Sequence, residues 1–145
     1  MGLDNGIILR VRGKIDPKEG ILSIPGIEKD DWYEEGHPGF SQYDICYWRK
    51  CWNIRDILFI NCRDAMGKED NGEYSLTIDE LKTIRNSLYL TICEGPEVWN
   101  EENRSIWDFE EIMNQLPWDL VRLSALIDYM EKNGGRCEAF FYDSY

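Results

Sequence analysis

The segment Tyr47-Trp48-Arg49-Lys50-Cys51-Trp52-Asn53-Ile54-Arg55 sets three rings and three cations in nine residues of an otherwise acidic chain. An aromatic plane beside an arginine can stack a base while the guanidinium holds a phosphate, which is a common way to grip a nucleotide. Tyr47, Trp48, Arg49, Lys50, Trp52, Asn53 and Arg55 are therefore the candidate ligand-binding residues. On one helix Trp48, Trp52 and Arg55 share a face, with Arg49, Asn53 and Lys50 on neighbouring ones. The same residues also read as packing, with the tryptophans in the core and Arg49 and Lys50 paired to nearby carboxylates. Packing is the simpler reading, because rings at helical spacing most often fill an interior.

Other chemistry is weakly signalled. The single histidine, His37, precedes Pro38 in a turn-rich stretch and has no local partner for a triad. There is no nucleophile elbow, phosphate-binding glycine loop or dinucleotide fingerprint. Acidic pairs such as Asp30-Asp31, Glu34-Glu35, Glu101-Glu102 and Glu110-Glu111 are sequence neighbours, so their side chains diverge on any regular element. The run Glu69-Asp70-Asn71-Gly72 invites a calcium loop, but placing Gly72 at its sixth position puts Gly67 and Ile78 where the end carboxylates belong. Cys46, Cys51, Cys62, Cys93 and Cys137 contain no Cys-x-x-Cys pair, which points to free thiols in a reducing compartment. No catalytic residue, metal site or cofactor is expected.

At 145 residues, 43% hydrophobic and 30% charged, the chain has the size and composition of one domain spanning 1–145. Its net charge of −12 repels polyphosphate backbones and anionic bilayers, so general nucleic-acid binding and membrane association are disfavoured. The acidity has a plain meaning, solubility, and a sharper one, a carboxylate surface that occupies a basic groove on a partner. The opening residues lack a signal peptide, and no apolar run reaches the ~20 residues of a membrane span. A cytoplasmic protein is expected.

Residues 6–13 suit a strand, 16–20 a turn, 21–27 at best a short edge strand, and 28–39 an exposed acidic loop. From Ser41 the positions Trp48, Cys51, Trp52, Arg55, Leu58, Phe59 and Cys62 recur at three- and four-residue steps, which predicts a long amphipathic helix. Thr77-Ile78-Asp79-Glu80 is a capping box opening a second helix through Leu81, Ile84 and Leu88. Ser105 could cap a short helix reaching Leu116, and Pro117 would begin another that stops at Asn133-Gly134-Gly135. Residues 136–142 suit a closing strand. The expected fold is α+β, three to four helices packed on a small antiparallel sheet that includes the N- and C-terminal strands.

Four features in sequence, Met1-Gly2-Leu3-Asp4, Tyr47-Trp48-Arg49-Lys50, Gly72-Glu73-Tyr74 before a Thr77-capped helix, and Phe141-Tyr142-Asp143-Ser144-Tyr145, resemble a family of small bacteriophage and prophage proteins. The order and rough spacing match along the whole length. In that family Tyr-Trp-Arg-Lys is followed by an Asn and then a His, where this chain carries Trp52 and Arg55, so no helix histidine is available for chemistry. The resemblance implies a bacterial cytoplasm and no established activity. It makes interference with host defence a natural expectation for a non-enzymatic binding protein, acting on a nucleotide-like small molecule or a host protein. The alternatives are a small enzyme with a site assembled from scattered Asp, Glu, Tyr and Arg, and a homo-oligomeric accessory protein that pairs an exposed Phe140-Phe141-Tyr142 edge.

Overall fold

The computed structural model describes residues 3–68, 71–95 and 109–144. Five antiparallel strands form one sheet: β1 (Asp4–Arg12), β2 (Glu28–Lys29), β3 (Phe40–Arg49), β4 (Gly72–Leu76) and β5 (Cys137–Ser144), in the order β2-β3-β1-β5-β4. The two end strands lie side by side, Asp4 opposite Ser144 and Val11 opposite Cys137, as expected from the sequence. Ile7, Leu9 and Val11 alternate toward one face of β1 and are buried, while Arg10 and Arg12 take the other, as period two requires.

Helices α2 (Trp52–Ile60), α3 (Ile78–Glu94) and α4 (Phe109–Asn133) cover the inner face. Ile54, Leu58, Leu81, Ile84, Leu88, Leu116, Leu123 and Leu126 meet Ile7, Leu9, Ile45 and Phe141 in one core. The remaining helix, α1 (Asp31–Gly36), reaches the outer face, where Tyr33 lies on Arg10. The fold is thus α+β, with four α-helices among the described residues and both terminal strands in the sheet.

Several local expectations need correction. The long helix from Ser41 is a strand followed by a nine-residue helix. A β-bulge explains the misreading: Ile7 pairs with Cys46 and Ile8 with Asp44, so Ile45 is the extra residue and both Ile45 and Cys46 enter the core. That insertion breaks the alternation begun by Tyr43 and leaves Trp48, Cys51 and Trp52 at apparent helical steps. Lys50, at φ 53, then turns the chain into α2.

The expected edge strand at 21–27 is a 3₁₀ turn, Gly20–Ser23, and the paired residues are Glu28 and Lys29 just beyond it. The acidic stretch expected to be a loop contains α1, because Asp30 accepts the N–H groups of Trp32 and Tyr33. Pro117 lies inside α4 rather than at its start. An interior proline costs about 3 kcal/mol, but Ile112 and Leu116 are buried on the same stripe as Leu123, and each returns about 1.5–3 kcal/mol. The helix proposed from Ser105 begins outside the described residues.

The Phe140-Phe141-Tyr142 segment is not an edge, since β5 is paired on both sides. At the true edge, β4, the Asp64 carboxylate accepts the Ser75 N–H at 3.0 Å and the Cys62 thiol approaches the Ser75 carbonyl at 3.2 Å. Those contacts blunt strand addition there.

The capping box is formed as expected: Thr77 Oγ1 accepts from the Glu80 N–H at 3.1 Å, and Glu80 accepts from the Thr77 N–H at 2.9 Å. Thr77→Ala should lower the unfolding free energy by about 1 kcal/mol in urea titrations without altering the helical signal of the folded protein.

Candidate ligand-binding cleft

The aromatic and cationic segment predicted as a site is dispersed by strand alternation up to Arg49 and by the turn at Lys50. Tyr47 points to the outer face and donates its hydroxyl to Asp4 at 2.8 Å. Trp48 is buried and donates Nε1 to Asp119 of α4 at 2.8 Å. Arg49 is exposed at the end of β3, and the Lys50 N–H extends the ladder to the Leu3 carbonyl at 2.6 Å. Trp52, Asn53 and Arg55 belong to α2.

Of these residues the structure brings Trp52 and Arg55 together, the guanidinium lying 5.5 Å from the indole and 4.5 Å from the Phe59 ring. Arg55 is engaged by Asp143 through Nε at 2.9 Å and Nη2 at 3.0 Å, and Asn5 donates to the same carboxylate at 2.8 Å. Its charge is therefore used inside the fold.

A second buried carboxylate, Asp119, accepts from Trp48, from Gln115 and from Arg122 at 3.1 Å. Burial pushes it up to about 6 even though all three donors pull the other way. Cys46 lies against it, and burial in that setting raises the thiol well above its ordinary value. This thiol stays protonated and acts as core. A shallow hollow of about 300 Å³ above it is lined by Asp44, Tyr47, Gln115 and Arg122.

The more informative cavity lies at the other end of the outer face, about 330 Å³, between Arg10, Arg12, Tyr33, Phe40, Arg136 and Phe140. β1 supplies Arg10 and Arg12 two residues apart, so both face outward; β5 supplies Phe140 by the same rule. α1 hangs Tyr33 over the cleft, and β3 begins with Phe40.

Arg10 is a structural wall: it sits 4.9 Å from the Tyr33 ring and 4.8 Å from the Phe140 ring. Glu73 takes its two terminal nitrogens at 2.7 and 2.8 Å, and Gln42 takes Nε at 2.9 Å. Arg12 and Arg136 are exposed and, among the described residues, have no carboxylate partner; Arg136 reaches only the Arg12 carbonyl, at 3.4 Å.

No protein-family model, curated protein or solved structure matches this chain. The geometry of the cleft therefore carries the functional argument. Glu138 and Cys137 also line it, and burial raises the Cys137 thiol, so it offers no ready thiolate at neutral pH. His37 stands apart, stacked on the back of Tyr33 at 4.0 Å. The lining offers cations and rings, the chemistry of holding an anion with a flat moiety.

Sequence reasoning missed this cleft. Arg10-Val11-Arg12 was legible as an alternating pair on one strand face, but only the folded sheet adds Tyr33, Phe40, Arg136 and Phe140. The predicted cations Arg49 and Lys50 lie nine or more residues along β3 from Phe40, about 30 Å at the rise of a strand. They cannot serve the same small ligand.

Proposed function

We propose that the protein is a non-enzymatic binding protein whose outer-face cleft holds a small, ring-bearing anion, a nucleotide-like ligand. The observation that carries this reading is that Arg12 and Arg136 have no carboxylate partner among the described residues and stand beside aromatic rings, in a chain with 28 acidic residues against 16 basic ones. With so many acids available, two guanidiniums at one cleft with no carboxylate partner among the described residues suit an external anion. Cavity size narrows the ligand further: about 330 Å³ is at the bottom of the ~300–1,000 Å³ range of small-molecule sites, so a mononucleotide fits better than a dinucleotide.

In the phage or prophage setting that the resemblance implies, holding such a ligand would sequester it from a host defence system. Calorimetric titration with AMP should give saturable heat. Arg12→Ala and Arg136→Ala should each weaken binding about 10-fold, as loss of a charge-assisted contact does. Arg49→Ala, at the far end of β3, should leave the affinity unchanged. Recovery of the nucleotide intact after long incubation supports holding over turnover, whereas conversion would favour the enzyme alternative. Absence of heat with every nucleoside mono- and diphosphate would remove this reading.

A further inference from the structure

A different observation lies on the far side of α1. Trp32 is 84% exposed, the barest large apolar side chain among the described residues. An indole so placed leaves on the order of 150–200 Å² of mostly apolar surface in water. Its backbone is held firmly all the same. Asp30 accepts the N–H groups of Trp32 and Tyr33 at 3.0 and 3.4 Å. Glu34 is clamped between Lys14 at 3.1 Å and Lys29 at 2.8 Å. Tyr33 is stacked between His37 and Arg10. The helix turn is thus rigid while the ring it presents is not packed, which lowers the ordering cost of burying that ring in a partner.

The surroundings set the partner's chemistry. Asp31 and Glu35 are exposed on the same helix as the indole; Lys14 and Lys29 hold Glu34, and Lys29 also reaches Asp31 at 3.5 Å but leaves that side chain 82% exposed. A second copy of this chain would bring its own −12 to the contact, and an anionic bilayer would repel the same carboxylates.

We propose that α1 is a docking knuckle: Trp32 inserts into an apolar pocket on a partner protein whose rim carries lysine and arginine, and Asp31 and Glu35 meet that rim. Tryptophan is the side chain most often dominant in such contacts, and complementary charge around it gives orientation and speed of encounter. The proposal does not depend on the cleft having a ligand.

The test immobilises wild-type protein, Trp32→Ala and the double variant Asp31→Asn/Glu35→Gln, and exposes each to a bacterial lysate. Proteins held by the wild type are identified, purified and titrated. Trp32 is exposed, so its variant should match the wild type in thermal melting. The proposal expects a purified partner whose affinity falls about 100-fold with Trp32→Ala and about 10-fold with the double variant, and weakens as salt is raised. It is overturned if nothing is retained, if the partner binds Trp32→Ala as tightly, or if salt has no effect. It is equally overturned if sedimentation shows a wild-type dimer that Trp32→Ala abolishes.

Discussion

Arg55→Met should cost the protein about 3–5 kcal/mol of stability, measured as a shift of the urea midpoint at pH 7, because it strands a buried carboxylate. The Asp143 side chain is 0% exposed and that of Arg55 only 14%, so neither can turn to water when the other is lost. The guanidinium donates to Asp143 twice, and the Asn5 amide donates once. Removing Arg55 leaves one neutral hydrogen bond to support a full charge in the interior.

The pair also ties α2 to β5 and β1, elements that sequence separates by up to 138 positions. Because the penalty is that of an unpaired charge, neutralising the charge should relieve it. Arg55→Met/Asp143→Asn is therefore expected to be more stable than Arg55→Met alone, with Asn5 still able to donate to the new amide oxygen. A double variant no better than the single one would show that the loss comes from the packing of the Arg55 stem on Trp52 and Phe59 instead. Nucleotide affinity at the cleft should survive in the double variant, since Arg55 has no place in that lining.

Features set by neighbours in sequence were readable before the structure. Thr77 and Glu80 lie three residues apart and cap each other, and Asn133-Gly134-Gly135 stops α4, because both effects need only a turn of chain. The terminal strands were readable from β-branched and aromatic runs, and their pairing followed from the need to bury both inner faces. Asp30 caps α1 in the structure, but with no apolar period after it that stretch read as a loop. That helix is held by Lys14, Lys29 and Arg10 rather than by a buried stripe of its own. The bulge at Ile45 was unreadable for a deeper reason: an extra residue in a strand mimics a change of period, and only the partner strand reveals it. The cleft unites Arg10, Tyr33, Phe40 and Phe140 from four elements with Arg136 from the turn before β5, and so spans nearly the whole chain length. No local spacing encodes that meeting, and the segment that did look like a site was spent on Asp119 and Asp143.

Asp119 should make the protein gain stability as pH falls from about 6 to about 4, opposite to the usual behaviour of a paired carboxylate. Its folded-state value stands at about 6, raised chiefly by desolvation, while an unfolded aspartate titrates near ~4. Between those limits the native protein binds a proton that the unfolded chain does not. Stability therefore decreases as pH rises through this window, and above about 6 the full cost of the buried charge is constant. About two pH units correspond to roughly 2–3 kcal/mol.

Asp119→Asn removes the titration while leaving an oxygen for the Trp48 indole, and Arg122 keeps its bond to the Pro25 carbonyl at 2.7 Å. Other shifted groups, such as Glu34 lowered by Lys29 and Lys14 and Asp44 raised by burial, are common to both proteins and cancel in the difference. Urea midpoints from pH 4 to 8 should thus show the stability of wild type minus variant falling by about 2–3 kcal/mol and levelling off just above pH 6. A difference that stays flat across that range would mean the three donors around Asp119 fully offset its burial, and that the cluster joining β3 to α4 carries no stored cost at neutral pH.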